Sequence, residues 1–382
     1  MKKTLLLSLA AMTMFISCTM NNNPLLTKST NQYGAPAFDK IKNEHYKPAF
    51  EAAIASAKAE ILAIASDTTA PTFQNTIEAL EYSGADLNNV AQIFYNLNEC
   101  CTNEEMQQIA EEIAPAMTEY QMSVVMNPQL FARVKAVYDQ RESLDLNQEQ
   151  AKLLEKSYKS FVKSGANLPE DKKAEYAKIQ EELSILGLTF GKNVLAATNA
   201  YTLNIKDEAD LEGLPQYVRD MAAAEAQARG VEGWVFTLNQ PSYSPFIKYS
   251  AKRELREEMW KAYNSKCIGG EFDNTDVIKK VIDLSIKDAN IMGYKNYAEA
   301  ALEDRMAKTP ETVDAFLKDL MEKSLPFAKK DVAEIQAYAD ENGFEGKLMP
   351  WDFSYWSEKL KKEKYSLDDE ILKPYFKLEN VI

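Results

Sequence analysis

The sequence predicts a mainly α-helical fold with a small β element at residues 199–238. Apolar residues recur at helical spacing along most of the 382 residues. Side chains that favour helix starts stand ahead of several of these apolar stripes. Only two short stretches alternate apolar and polar residues with the period of a strand. Together these observations favour packed helices over a sheet-based fold.

In the first half, helices are predicted at 46–64, from Thr72 along a stripe at 77–94, after 102–105, after 147–150, and at 169–193. The segments 102–105 and 147–150 fit the capping box, in which the first side chain accepts a free N–H and the fourth reaches back. Thr102 and Asn147 are therefore the expected N-caps. Pro169 suits a first helical turn, where its missing N–H costs nothing.

The predicted β element consists of two short strands, at 199–205 and 234–238. Both alternate apolar and polar residues, and the second is rich in β-branched and aromatic residues. Between them, Leu214 and Pro215 open a helix that Gly230 ends. We therefore expect a small β element inserted in a helical body.

Helices resume after the β element. Ser250 is the expected N-cap of the next helix, and a longer helix is predicted at 275–292, where Gly293 stops it. Thr309 and Pro310 form a strong helix start, because they combine a cap, a proline at the first position and an acidic first turn. That helix is predicted to continue toward Tyr338.

The start of the sequence has the pattern of a bacterial lipoprotein leader. Two lysines precede an apolar run at 5–16, which is too short to span a bilayer and is typical of a secretory signal. Cys18 follows a small residue, as in a lipobox, so we expect a signal peptide at 1–17 and lipidation of Cys18. Residues 18–33 would then be a lipidated tether. The alternative is a plain secretory signal in which Cys18 is incidental.

Charge and cysteine content narrow the possible partners. The net charge of −14, without a basic stripe that carries interleaved aromatics, argues against nucleic acid. Beyond Cys18, the three residues Cys100, Cys101 and Cys267 cannot form a closed disulfide framework. A strained bridge between the adjacent Cys100 and Cys101 is one interpretation, but we favour buried free thiols near a helix end.

The reactive side chains exclude several mechanisms. His45 is the single histidine, and neither a Gly-x-Ser-x-Gly segment nor a His-Glu-x-x-His zinc motif is present. We expect His45 to be a locally hydrogen-bonded or surface side chain. Acidic runs occur at 104–105, 111–112, 181–182, 257–258 and 368–370. Their place on amphipathic helices favours solvated faces over acid–base catalysis.

Aromatic residues are concentrated near the end of the chain. They are Trp351, Phe353, Tyr355, Trp356, Tyr365, Tyr375 and Phe376. So many aromatic side chains need a surface that covers them. We therefore interpret 351–356 as packing residues for a part of the protein that this sequence does not contain.

Eight segments carry a resemblance to a known family, and 350–356 (Pro-Trp-Asp-Phe-Ser-Tyr-Trp) is one of them. The others are 34–41, 44–50, 71–80, 253–263, 290–299, 305–308 and 372–376. In this order they resemble the bacterial peptidyl-dipeptidase (Dcp-like) group of the M3 family of zinc metallopeptidases.

The resemblance implies an elongated multi-helix body like that of thimet oligopeptidase and neurolysin, with two lobes beside a deep channel. It implies a zinc enzyme, monomeric when complete, that releases dipeptides from the C-terminal ends of short peptides. The family's zinc ligands and catalytic residues all follow the segment that matches 375–378, so no catalytic or metal residue is assigned in this chain. We expect residues 34–382 to be a partial M3 peptidase that alone holds no zinc and is inactive.

Two hypotheses remain open on this basis. In the first, the sequence is the N-terminal part of an exported, periplasm-facing peptidyl-dipeptidase lipoprotein anchored to the membrane through Cys18. In the second, it is a naturally shortened, non-catalytic lipoprotein that binds peptides. The second hypothesis requires a stable fold and cooperative unfolding of this chain alone.

Overall fold

Helices dominate the structure, a computed structural model that describes residues 23–367 and 369–381. The predicted signal peptide and Cys18 lie outside the described residues. Residues 23–189 and 280–297 form one compact unit, and residues 190–279 and 298–381 form a second. Within the described ranges, no helix is long and apolar enough to cross a membrane. The predicted mainly α-helical fold with a small β element is confirmed.

The elements are named in chain order, and three of the helices cross the division between the units. The α-helices are α1 (Asn43–Ser66), α2 (Ala79–Tyr82), α3 (Ala85–Cys100), α4 (Glu104–Val125), α5 (Pro128–Asp139), α6 (Gln148–Lys163), α7 (Glu170–Ala200), α8 (Gln216–Ala228), α9 (Gln240–Tyr249), α10 (Arg253–Asn264), α11 (Thr275–Ile291), α12 (Tyr297–Leu302), α13 (Pro310–Glu341), α14 (Pro350–Tyr365), α15 (Asp369–Leu372) and α16 (Leu378–Val381). The strands are β1 (Leu203–Ile205) and β2 (Trp234–Phe236). The division falls within α7, α11 and α12.

The first unit has two hydrophobic clusters. In one, α1 packs against α3 and α4. The buried ring of Phe94 meets Tyr46 and Phe50 edge to face, with centroids 4.9 and 5.5 Å apart. The other cluster includes Leu130 on α5 and Leu154 on α6. Each such side chain stabilises the fold by about 1.5–3 kcal/mol when fully buried.

Two observed helix N-caps in the first unit, Thr72 and Asn147, agree with the N-caps predicted from the sequence. The Thr72 hydroxyl accepts the N–H of Asn75 at 3.1 Å, as predicted, and opens a π-helical segment at Phe73–Glu78. Asn147 and Gln150 exchange side-chain and backbone hydrogen bonds of 2.9 and 3.1 Å, which confirms the second capping box. The stripe at 77–94 is interrupted, however, because Gly84 adopts a φ of 70° between α2 and α3.

The first predicted capping box is wrong by one residue. The N-cap of α4 is Asn103, whose side-chain oxygen accepts the N–H of Met106 at 2.9 Å. Thr102 instead donates to the side chain of Asn98 at 2.9 Å. Glu105 does not reach back, because its carboxylate accepts the Asn43 side-chain N–H at 2.8 Å. Asn and Thr are both good caps, so the pattern alone did not separate them.

The second unit contains the predicted β element as a two-stranded antiparallel sheet, with Leu203 opposite Phe236 and Ile205 opposite Trp234. Gly233 precedes β2 with a φ of 94°, and a Cβ atom there would collide with the carbonyl oxygen of Ile205. Glycine is therefore required for the strands to approach. Helix α8, which follows Pro215, lies between the strands in sequence as predicted.

Helix α9 is one of the elements that the sequence interpretation missed, together with the longer α5 and α14. It ends at Ser250, which caps its C-terminus and is fully buried. The predicted role of Ser250 as the N-cap of the following helix is therefore wrong, since α10 begins after Lys252. Two prolines within Gln240–Tyr249 argued against a helix in the sequence. Pro241, however, lies near the helix start, where proline is tolerated.

Candidate functional site

The segment 350–356 forms the first turns of α14 and places an acidic side chain in the interior. Pro350 is the first helical residue, and the Asp352 carboxylate accepts the N–H of Met349 at 3.1 Å. The side chain of Asp352 is 0% exposed. A carboxylate buried this completely requires a positive partner and further hydrogen bonds.

Two arginines of α10 supply the positive charge. Arg253 Nη2 donates to Asp352 Oδ2, and Arg256 Nη2 donates to Asp352 Oδ1, each at 2.9 Å. Their three-residue spacing puts both guanidinium groups on one face of the helix. The hydrogen bond to Asp352 raises the pKa of Arg253. Burial lowers the pKa of Arg256, and Asp352 opposes that change. We call these three residues the Arg–Asp cluster.

Arg256 connects three helices of the second unit. Its Nε donates to the carbonyl oxygen of Trp351 at 3.0 Å, and its Nη1 donates to that of Ser250 at 2.8 Å. Its guanidinium carbon lies 4.1 Å from the ring centroid of Tyr355. The cluster therefore holds α14 against the end of α9 and against α10. Since the carboxylate is paired on both oxygens, the cluster positions its neighbours and offers no free acid or base.

Three aromatic residues of α14 are already covered within the second unit. Trp351 lies 5.7 Å from Trp260, and Trp356 lies 5.9 Å from Phe344, measured between ring centroids. Tyr355 is buried with them. The interpretation of 351–356 as packing for a part outside this sequence is therefore wrong for these three residues. The aromatic residues that remain exposed are Phe353, Tyr365, Tyr375 and Phe376.

A groove of about 480 Å³ runs along α9, α10 and α14. Its walls include Tyr243, Trp260, Phe353 and Ser354. Glu358 also lines it, and one of its carboxylate oxygens lies 3.1 Å from the ammonium groups of Lys248 and Lys361. The other oxygen is buried and has no hydrogen-bond partner in the part of the chain that is described. Aromatic walls with hydroxyls and an acceptor suit binding of a peptide group, but they provide no nucleophile with an adjacent base.

Catalytic zinc does not fit the residues present. Within 23–367 and 369–381, no group of three or more His, Cys, Asp or Glu side chains is arranged to hold a metal ion. His45 lies in the first turn of α1, where its Nδ1 accepts the N–H of Lys42 at 3.0 Å. The prediction that His45 is locally hydrogen-bonded is confirmed. A histidine used in this way completes a helix cap and does not begin a ligand set.

The acidic runs lie on exposed helix faces, as predicted. Glu112 pairs with Lys47 at 2.8 Å, and the Tyr201 hydroxyl donates to Glu258 at 3.1 Å. Glu181 and Glu182 are exposed on α7. Asp368 and the side chains of the next two residues lie outside the described part of the chain. Nothing in the described pairs resembles two carboxylates sharing a site.

The cysteines differ from the expectation. Cys100 and Cys101 stand at the end of α3 as predicted, but both are exposed, so the interpretation as buried thiols is wrong. Cys267 is half-buried. All three are free thiols.

Sequence comparison identifies the family. The model of peptidase family M3 matches residues 246–382, which include the whole Arg–Asp cluster. The chain is 34% identical over 362 residues to the dipeptidyl carboxypeptidase of Escherichia coli (strain K12), covering 94% of this chain and 53% of the relative. It is 33% identical over 359 residues to oligopeptidase A of Salmonella typhimurium, covering 93% of this chain and 52% of the relative.

The chain belongs to peptidase family M3. It spans about half the length of the curated relatives it matches. Among solved structures, PZ peptidase A with inhibitor 2 is similar at a TM-score of 0.47 and 18% identity, over 83% of this chain and 48% of that chain. The family assignment therefore depends on the sequence matches.

The Arg–Asp cluster shows what reasoning from the sequence missed within this M3 chain. Arg253 and Asp352 were recognised only as parts of matching segments, without a role. The Arg-x-x-Arg spacing on a predicted helix was the available signal, because it places two cations on one face. Their common partner is about a hundred residues away in sequence, so only the tertiary structure brings the three together.

Proposed function

We propose that this chain forms part of a zinc-dependent M3 peptidase that releases dipeptides from the C-terminal ends of short peptides. The observation that carries this proposal is the 34% identity to a dipeptidyl carboxypeptidase over 94% of the chain. The 33% identity to oligopeptidase A makes internal cleavage of oligopeptides the competing activity. The substrate in either case is a peptide.

The proposed contribution of this chain is structural and substrate-binding, not catalytic. It contains one histidine and no His-Glu-x-x-His motif, so zinc ligands must come from other M3 sequence on the same or a separate polypeptide. The surface of α13 supports a need for such a partner. Residues 311–334 include the exposed side chains Phe316, Leu317, Leu320, Leu325 and Phe327, and an apolar face of this extent is typical of an interface.

The test replaces the matched 362-residue region of the Escherichia coli relative with the corresponding part of this chain and assays short peptides. We expect the chimera to bind zinc and to release C-terminal dipeptides. A peptide with an amidated C-terminus separates the two activities, because release that survives amidation indicates internal cleavage. A folded, zinc-loaded chimera that hydrolyses neither peptide would contradict the proposal.

The chain alone provides the second arm of this test. We expect no stoichiometric zinc and no hydrolysis from the isolated 382-residue chain, since the ligand set is absent from its sequence. Zinc together with activity would overturn the assignment of the catalytic residues to other sequence. Tight peptide binding by a cooperatively folded chain, without hydrolysis in the chimera, would favour the non-catalytic peptide-binding lipoprotein.

We also propose that the protein is an exported lipoprotein anchored through Cys18 and facing the periplasm. The support is the leader-like pattern of residues 1–18. Labelled palmitate should be incorporated into the wild-type protein in bacterial cells and absent from a Cys18→Ser variant, which should leave the membrane fraction. Incorporation that persists in the variant would exclude Cys18 as the site.

A further inference from the structure

Cys100 and Cys101 form a fixed pair of exposed thiols in the first unit. Cys100 is the last residue of α3, and Cys101 caps that helix. The N–H of Cys101 donates to the carbonyl oxygen of Leu97 at 2.8 Å, so the backbone at the pair is held by the helix. On the other side, Asn103 caps α4 and Thr102 donates to Asn98. The turn that carries both thiols is therefore anchored at each end.

The two thiols interact with each other. The Cys100 thiol points to the Asn96 side-chain oxygen at 3.9 Å. A hydrogen bond with Cys101 raises the pKa of the Cys100 thiol, and partial burial and nearby Glu99 raise it further. The Cys100 thiol therefore stays protonated at neutral pH, which slows its reaction with reagents that need a free thiolate. A reagent that engages both sulfurs at once gains from their fixed proximity.

We propose that Cys100 and Cys101 are a vicinal dithiol site that binds a soft trivalent arsenic centre carrying one organic substituent. Soft thiolates are the preferred ligands of soft, thiophilic elements. An arsenic centre with one organic substituent needs only two protein donors. In the described residues, no group of three His, Cys, Asp or Glu side chains is arranged to hold a metal ion. The site therefore matches a two-donor ligand better than a tetrahedral metal.

Chelation is favoured over a disulfide between the same residues. A disulfide requires sulfurs about 2.0 Å apart with a fixed dihedral angle, which adjacent residues reach only with backbone distortion. The backbone here is held by the hydrogen bond from Cys101 to Leu97. An arsenic atom between the two sulfurs keeps them further apart and leaves that hydrogen bond in place.

The binding step balances without an oxidant. With phenylarsine oxide, two As–S bonds form and two S–H bonds break. The two protons leave with the arsenic-bound oxygen as one water molecule. Arsenic remains trivalent, and both sulfurs keep their oxidation state.

The experiment uses the full chain carrying Cys18→Ser, treated with phenylarsine oxide and analysed by intact-mass spectrometry. We expect one phenylarsenic group per chain that resists excess 2-mercaptoethanol and is removed by 2,3-dimercaptopropanol. Cys100→Ser and Cys101→Ser should each lose the resistant adduct, because one thiol alone forms a labile bond. Cys267→Ser is the matched control and should retain it.

Because both residues are exposed, serine should preserve the fold, and far-ultraviolet circular dichroism checks this. A resistant adduct that survives either single substitution, or that depends on Cys267, would overturn the proposal. An adduct that 2-mercaptoethanol strips from the parent chain would do the same.

Discussion

Helices α1 and α13 are long and rich in apolar residues, but their surroundings are opposite. Nine of the 24 residues of α1 are buried, whereas α13 buries only Ile335 and Ala339 among 32. The two buried residues of α13 lie near its C-terminus, where α14 packs against it. The other apolar side chains of α13 are not buried by any of the described residues. Apolar periodicity thus predicts that a helix has a face to bury, and it does not predict what buries it.

The comparison is tested most strongly by removing one phenylalanine from each helix. Phe50→Ala in α1 should lower the free energy of unfolding by about 4 kcal/mol, because a fully buried ring leaves a cavity. Phe327→Ala in α13 is the matched control. That ring is 71% exposed, so its loss should change the free energy by less than about 0.5 kcal/mol.

Urea unfolding followed by two signals makes this test specific to a region. All four tryptophans lie in the second unit, at 234, 260, 351 and 356, so fluorescence reports on that unit alone. Circular dichroism follows the helices of both. Equal losses for Phe50→Ala and Phe327→Ala would show that α13 is covered in solution, for example by self-association.

The Arg–Asp cluster gives the next largest expected effect. Asp352→Ala leaves Arg256 buried without its carboxylate and should destabilise the second unit by about 3 kcal/mol. Asp319→Ala is the control, because Asp319 forms an exposed pair with Lys323 at 2.8 Å on α13 and such pairs contribute little. Tryptophan fluorescence during urea unfolding measures both. A loss below about 1 kcal/mol for Asp352→Ala would show that the cluster does not hold α14 in place.

The α13 helix start provides a smaller test. The Thr309 hydroxyl accepts the N–H of Thr312 at 3.2 Å, and Thr309→Ala should destabilise the start of α13 by about 1 kcal/mol. With little tertiary packing over 310–334, this should appear as roughly fivefold faster amide exchange near Thr312. Thr309→Ser keeps the cap and should exchange at the parent rate. Unchanged exchange in Thr309→Ala would mean that a partner surface, not the cap, holds this end.

Local signals account for most of what the sequence predicted correctly. Thr72, Asn147 and Thr309 each cap a helix with the hydrogen bond that their residue types favour. Both strands also lie within the segments where alternation predicted them, at Leu203–Ile205 and Trp234–Phe236. These features depend on interactions between residues a few positions apart, so they can be read from the chain directly.

Long-range features escaped prediction for the opposite reason. The burial of Asp352 between Arg253 and Arg256 depends on α10 and α14 meeting, which no local pattern encodes. Exposure of Cys100 and Cys101 likewise depends on what covers the end of α3. The functional assignment came from segment resemblance instead, because this sequence carries no zinc motif from which chemistry could be derived.

The smallest expected effect concerns Glu155 on α6 in the first unit. Its carboxylate accepts hydrogen bonds from Lys152 at 2.8 Å and Lys159 at 2.6 Å, which lower its pKa from 4.5 to about 2. A lowered pKa in the folded state stabilises the protein above pH 4.5, and this contribution is lost as the pH falls toward 2. Because the Glu155 side chain is 35% exposed, solvent screening limits its contribution to the free energy of unfolding to about 0.5 kcal/mol.

Unfolding of the wild type and Glu155→Gln should therefore differ slightly at pH 7 and converge near pH 2. In an NMR titration, Lys159→Ala should raise the pKa of Glu155 toward its ordinary value, since one hydrogen bond is removed. Lys156→Ala is the matched control on the same helix and leaves both hydrogen bonds of Glu155 in place. A Glu155 pKa that stays near 4.5 in the wild type would show that these lysines are mobile in solution. The ion pairs of α6 would then be as weakly held as those expected on the exposed surface of α13.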